Sequence, residues 1–165
     1  MPSGHPAGTV TLRVTLPADA PALFRIESDP VARHMAAFGG EEPESLAAYQ
    51  TRWGKMLADR TVVARTVLWN GRIVGSVLQF EHRRQPSVAL WIDREFWGRG
   101  IATRALSLFL AETTLRPLFA RVAGDNVGSR TVVERCGFRA IGEDKGFARF
   151  RGTDLAELIF RLDGS

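Results

Sequence analysis

Trp97-Gly98-Arg99-Gly100-Ile101-Ala102-Thr103 decides how this chain is read, because it sets two glycines between a strand-like run and a run with helical spacing. Ser87 to Ile92 precedes it as a short apolar strand. Ile101 to Thr114 follows as a helix carrying Ala105, Leu106, Phe109 and Leu110 on one face. At such a junction, backbone N–H groups converge on an anion. Two nucleotide loops are excluded by residue type. A Walker loop needs Gly-Lys-Ser/Thr where Ile101-Ala102-Thr103 stands, and a dinucleotide fingerprint needs a third glycine and a later acidic residue. For the loop taken alone, a tight turn that holds no ligand is the competing account.

Upstream of this junction, Thr61 to Trp69 and Ile73 to Phe80 are β-branched runs joined by Asn70-Gly71, the pair best suited to the positive φ angles of a tight hairpin. A polar loop, His82 to Pro86, links the second run to Ser87. Further back, Thr9 to Leu16 alternates Val10, Leu12, Val14 and Leu16 with polar residues, the period of a half-buried strand. A short helix with Leu23, Phe24 and Ile26 follows and stops before Asp29-Pro30. Gly39-Gly40 punctuates the next stretch, and Glu44 to Asp59 reads as a second helix.

Downstream, Leu118 to Ala123 is a strand, Ser129 to Cys136 a helix stopped by Gly137, and Phe138 to Ile141 and Leu155 to Leu162 are closing strands. The expected fold is α/β, a mixed central sheet of about seven strands in the order β-α-α-β-β-β-α-β-α-β-β. One domain over residues 1–165, with an ordered core from about 9 to 162, fits this length.

The 165 residues are 45% apolar and 24% charged, the balance of an ordinary soluble globule. No stretch approaches the roughly 18 uninterrupted apolar residues of a membrane span, and Met1 to Gly8 lacks the charged start and apolar run of a leader, so a cytoplasmic protein without membrane contact is expected. Of the 22 basic residues all but Lys55 and Lys145 are arginines, which gives a net charge of +4 and a pI near 10.2. They are scattered from Arg13 to Arg161, a pattern that argues against a nucleic-acid stripe. Cys136 is the lone cysteine, which excludes an intramolecular disulfide and a multi-cysteine zinc site.

Joined to Asn126-Val127-Gly128-Ser129-Arg130 and Glu134-Arg135-Cys136-Gly137-Phe138, the glycine loop resembles the GNAT superfamily of acyl-CoA-dependent N-acyltransferases. Asp93 to Thr103 looks like the branch that includes the bacterial ribosomal-protein N-terminal (alanine/serine) acetyltransferases. The element order from about Thr9 to Leu162 shares in the resemblance, while the specific motifs lie between Trp91 and Phe138. The pyrophosphate run Arg/Gln-x-x-Gly-x-Gly/Ala falls on Trp97 to Ala102. Gly100 and Ala102 match it, and Trp97 departs from it as is common in the narrower branch.

The resemblance implies that amides of Trp97, Gly98, Arg99, Gly100, Ile101, Ala102 and Thr103 surround the pyrophosphate of acetyl-CoA. It also implies that Leu90, Trp91 and Ile92 pair with the pantetheine amides, one of which polarises the thioester carbonyl. Asn126 would bond the pantetheine arm. Ser129 is the expected proton donor to the leaving CoA sulfur, with a helix N-cap as its alternative role. The tyrosine that many relatives use falls on Val133. Ser87 stands where relatives keep a strand-borne glutamate, which leaves Glu81, or its neighbour His82, as the proton acceptor, and His34 borders the acceptor side. Cys136 is read as a small buried hydrophobe, and no metal is called for.

An acetyl-CoA-dependent N-acetyltransferase acting by direct attack in a ternary complex is thus the expected activity. Its acceptor is a primary amine, either a protein N-terminus or a small molecule, and the acidic run Gly39-Gly40-Glu41-Glu42 suits a cationic acceptor. The chain's partners are then the donor and that amine, with a homodimer left open. The alternative is a catalytically weak acyl-CoA-binding module, since Ser87 and Val133 replace two common catalytic side chains.

Overall fold

The computed structural model describes residues 8–38 and 45–164. Residues 1–7 and the acidic run from Gly39 to Glu42, with the first residue of the helix expected at Glu44, lie outside the described residues. Seven strands form one sheet: β1 (Val10–Val14), β2 (Val63–Trp69), β3 (Arg72–His82), β4 (Gln85–Ile92), β5 (Leu118–Ala123), β6 (Arg139–Ala148) and β7 (Thr153–Leu162). Their spatial order is β1-β2-β3-β4-β5-β7-β6, and only the β4–β5 neighbours run parallel. The expected mixed seven-stranded α/β sheet is present.

Among the described residues five α-helices pack on it: α1 (Ala20–Glu27), α2 (Pro30–Ala36), α3 (Leu46–Ala58), α4 (Ile101–Glu112) and α5 (Val127–Arg135). Three of them, not two, separate β1 from β2. Asp29-Pro30 does end α1, but it also starts α2. The proline occupies the first turn, where its missing N–H costs nothing, and the Asp29 carboxylate accepts from the Ala32 amide at 2.9 Å.

The Asn70-Gly71 hairpin forms as expected, with φ of 51° and 82°. The loop expected from His82 to Pro86 is shorter than its polarity suggested: β3 and β4 run on to His82 and Gln85. Arg83 and Arg84 alone make the turn, both at positive φ (51° and 66°) without a glycine. β6 extends to Ala148, well past the expected end at Ile141.

The sheet buries both faces. On one, Ile101, Ala105, Leu106 and Phe109 of α4 pack against Val67, Val77, Leu118 and Phe160. Each large side chain buried there contributes about 1.5–3 kcal/mol. On the other, Leu23 and Ile26 of α1 and Tyr49 and Trp53 of α3 cover the β2–β4 half. The Tyr49 ring lies 5.2 Å from Phe24 and 6.1 Å from Trp53, and its hydroxyl donates to Glu27. Burial pushes the Glu27 carboxyl up, against the Tyr49 hydrogen bond and the charge of Arg52.

Asp19 fastens β1 to this layer. Its buried carboxylate accepts from the Arg13 guanidinium at 2.7 and 2.8 Å, from the Leu16 amide at 2.9 Å and from the Thr66 hydroxyl at 2.8 Å. Burial pushes its pKa up, but these donors outweigh it and hold the group below the usual carboxylate range. A depressed folded pKa contributes stability above the unfolded value, near 3.9, that is lost as pH falls through the folded value. Asp19→Asn is therefore expected to cost about 2–4 kcal/mol at pH 7, at the lower end if the half-exposed Arg13 keeps its water. Urea unfolding at pH 7 and pH 3 should show the gap to wild type narrowing in acid; an equal gap at both would refute the ionic assignment.

Candidate active site

β4 and β5 meet in register at one position, Ser87 opposite Phe119. Along its other edge β4 is paired with β3 throughout, from His82 opposite Gln85 to Gly75 opposite Ile92. Beyond Ser87 the edge of β4 facing β5 thus has no strand partner among the described residues, and a wedge opens toward the C-terminal ends of both strands. Leu90 and Ile92 belong to the α4 side of the sheet and Trp91 to the α1–α3 side. The main chain of this stretch is left facing the wedge as a row of hydrogen-bonding groups. Gly75 keeps it in place: a Cβ there would sit 2.0 Å from the Trp91 carbonyl oxygen, so β3 approaches too closely for any side chain.

The wide end of the wedge carries the glycine loop. Asp93 caps a short 3-10 turn over Arg94–Phe96 by accepting from the Glu95 amide at 3.1 Å, and it receives Arg25 at 3.0 Å. The Trp97 indole N–H donates to the Ile92 carbonyl at 2.8 Å, so this tryptophan ties the loop back to the end of β4 while 41% exposed. Gly100 enters α4 at φ 76° and brings no side chain to cap its first amides. A Cβ added to Gly98 or Gly100 would meet nothing within 4 Å. The space over the loop is open, and the positive end of a twelve-residue helix points into it. Arg99 does not reach over that space alone: its guanidinium lies 5.2 Å above both the Trp69 and Phe96 rings.

The opposite wall begins at Asn126, the N-cap of α5. Its side-chain oxygen accepts from the Ser129 amide at 3.1 Å, and its nitrogen donates to the Met35 carbonyl at 3.1 Å, leaving one N–H uncommitted. The capping alternative for Ser129 is thereby overturned. Asn126 takes that role because its side chain reaches the amide three residues on, whereas Ser129 sits inside the first turn. Val127 beside it is 66% exposed at the wedge mouth, and Val133 is buried in the core. Cys136 is half-buried, its thiol donating to the Thr103 carbonyl at 3.6 Å, and burial pushes its pKa up.

Asn126 also belongs to a clamp that sequence reasoning missed. Arg151 pairs with Asp125 at 2.7 and 2.9 Å and donates to the main-chain carbonyl of His34. The Phe150 amide donates to Ala37, and Arg33 lies 4.5 Å over the Phe150 ring. The Arg151 hydrogen bond holds the Asp125 carboxyl below its usual range. His34 is exposed, its main chain held by these contacts. No sequence signal joins residues this far apart.

At the narrow end, Glu81 is exposed opposite Pro86, one position from the vertex. Burial, then Arg121 and Arg83, push the pKa of the half-buried His82 imidazole down, against the opposing charge of Glu157. Arg121 in turn binds Asp144 at 2.8 Å and Glu157 at 3.0 Å. Among the described residues no three metal-ligating side chains converge, and no helix is long and apolar enough to cross a membrane.

Residues 9–139 match the model of the acetyltransferase (GNAT) domain. The chain belongs to the GNAT family. It is an acetyl-CoA-dependent acyltransferase by that membership. This GNAT chain is 27% identical over 146 residues to YdaF of Bacillus subtilis (strain 168), provisionally named a ribosomal N-acetyltransferase, covering 81% of this chain and 80% of that protein. Its fold is similar to that of Mycobacterium smegmatis RimJ, solved in complex with CoA-disulfide: TM-score 0.80 at 24% identity, covering 96% of this chain and 84% of the other. It is similar too to the ribosomal-protein-S5-alanine acetyltransferase from Vibrio fischeri: TM-score 0.76 at 18% identity, covering 93% and 92%.

Proposed function

We propose that this GNAT protein moves the acetyl group of acetyl-CoA onto a primary amine, and that the amine is the N-terminus of a ribosomal protein. The wedge between β4 and β5, closed at Ser87 and ending in the uncapped turn of α4, is the observation that carries the reaction. The name of YdaF and that of the Vibrio fischeri protein support the acceptor class.

In this mechanism the amides from Gly98 to Thr103 hold the pyrophosphate, and the main chain of Leu90 to Ile92 pairs with the pantetheine arm, aided by the remaining N–H of Asn126. One strand amide donates to the thioester oxygen and stabilises the charge that builds there. The neutral amine attacks the carbonyl carbon, the new C–N bond forms and the C–S bond breaks. As the C–S bond breaks, the proton that the attacking nitrogen still carries passes to the departing sulfur through the Ser129 hydroxyl. That hydroxyl gives its own proton to the thiolate and takes up the one from nitrogen. Glu81, one position from the vertex, accepts the proton lost by the ammonium, with His82 next to it able to do the same through water.

A second reading follows from Val133, whose burial leaves the common tyrosine acid without a replacement at its own position: the protein then binds acyl-CoA and turns it over poorly. Two measurements separate them. Acetyl-CoA at about 100 times its Kd should stabilise the fold by about 2.7 kcal/mol, whereas ATP should do little. Thiol release should then rise with peptides that begin with alanine or serine above the rate with polyamines or small amines. Stabilisation by acetyl-CoA with no thiol release from any amine would establish the binding module. Stabilisation by ATP alone would overturn both readings.

A further inference from the structure

Two residues past the end of β4, the Arg94 guanidinium pairs at 2.9 Å with Asp29, the N-cap of α2. Two residues past the end of β5, Asp125 holds Arg151, whose Nε donates to the His34 carbonyl in the last turn of the same helix. Next in the chain, Asn126 donates to the Met35 carbonyl at 3.1 Å, and the Phe150 amide donates to the Ala37 carbonyl at 2.9 Å. Helix α2 is thus fastened at its start to the β4 side of the wedge and at its finish to the β5 side. It crosses the wide end.

Seven helical residues rise about 10 Å, roughly twice the spacing of paired strands, so a strap of this length spans a gap that admits one extended chain between β4 and β5. That gap is the place given above to the pantetheine arm. On the opposite face of the sheet α4 and α5 pack into the core. An amine therefore meets a thioester in the wedge from the α2 side.

The β5 anchor turns on one side chain. The last carbonyls of a helix have no partner within it, and here residues of the far wall supply them. Arg151 engages all three guanidinium nitrogens, two on Asp125 at 2.7 and 2.9 Å and the third on His34, with its side chain only 11% exposed. Just beyond the helix the buried Ala37 stands at φ 62°, a conformation that a residue other than glycine keeps only where its surroundings fix it. We propose that Arg151 is a positioning residue for the amine: through the His34 carbonyl and the Asp125 carboxylate it fixes α2 across the wedge and sets the path by which the amine reaches the thioester. This inference rests on the transfer reading above. The donor is held by other groups, the glycine-loop amides and the edge of β4, so the amine step alone depends on Arg151.

Arg151→Met tests this, with Arg151→Lys beside it, since an ammonium cannot reproduce the three-bond fork. With saturating acetyl-CoA and whichever amine wild type accepts best, kcat in Arg151→Met is expected to fall by about tenfold or more, because small misplacements of a reacting group are costly. Arg151→Lys should lie closer to Arg151→Met than to wild type. The calorimetric Kd and stoichiometry for acetyl-CoA should stay within about twofold of wild type in both, which a general loss of folding would not allow. Hydrogen exchange at the Ala36 and Ala37 amides should quicken by about tenfold or more in Arg151→Met, while the α4 amides keep their protection. Wild type that transfers acetyl to no amine would overturn the transfer reading and this inference with it. Wild type that transfers, beside an Arg151→Met variant that keeps its kcat, loses acetyl-CoA affinity in step with kcat or leaves α2 exchange unchanged, would overturn this inference alone.

Discussion

Gly100→Asp is expected to weaken acetyl-CoA binding by at least a hundredfold. The substitution sets a carboxylate where the pyrophosphate is proposed to lie, and two like charges about 4–5 Å apart in a partly screened site repel by about 3–4 kcal/mol. About 2.7 kcal/mol of that already corresponds to a factor of 100. Because Gly100 sits at φ 76°, any side chain there also costs about 1 kcal/mol of stability. Gly100→Ala carries that strain without the charge, so it should lower Tm similarly while changing Kd less than tenfold. Arg99→Ala loses a stack over Trp69 and Phe96, worth about 1 kcal/mol of stability, and should change Kd only a few-fold. Calorimetric titration of the folded variants decides the matter. A larger loss in Arg99→Ala than in Gly100→Asp would show that a side-chain charge, and not the backbone cradle, holds the cofactor.

The second large effect is kinetic. Ser129→Ala is expected to lower kcat by about 10²-fold, the low end for general acid catalysis because a CoA thiolate is already a fair leaving group. Its stability should stay within about 0.5 kcal/mol of wild type, since the cap of α5 belongs to Asn126. Asn126→Ala gives the contrasting pattern: a stability loss of about 0.5–2 kcal/mol from the cap, before the bond to Met35 is counted. Single-turnover rates with an N-terminal peptide measure the chemical step directly. An unchanged rate in Ser129→Ala would remove the serine from the proton inventory.

What could be read beforehand follows from how local the determining physics is. Asn70-Gly71 announced its hairpin because both residues accept positive φ on their own account. Arg83 and Arg84 make an equivalent turn that no residue preference signals, since the paired flanking strands impose it. Helix α2 was hidden because Asp29-Pro30 is both a stop for one helix and a start for the next, and only the Asp29 hydrogen bond shows which. Most of β6, everything past Ile141, escaped because its outward face and its glycines leave no alternation of core residues. At the site, the glycine loop was visible as a contiguous motif, whereas the Arg151 clamp joins segments more than 100 residues apart in the chain.

The lone rung between Ser87 and Phe119 also gives the molecule a grain. Strands β1 to β4 make one hydrogen-bonded raft and β5 to β7 another, and past that rung their union depends on side chains packed across the gap by the helices. Local opening in proteins follows the boundaries where few backbone bonds cross. Lateral opening of this sheet therefore has a preferred line, and it runs along the wedge. A pantetheine arm in the proposed position would supply amide partners to the edge of a strand that has lost its neighbour. If the donor binds there as proposed, it would stiffen the joint it enters, and its departure would return the two rafts to their looser union.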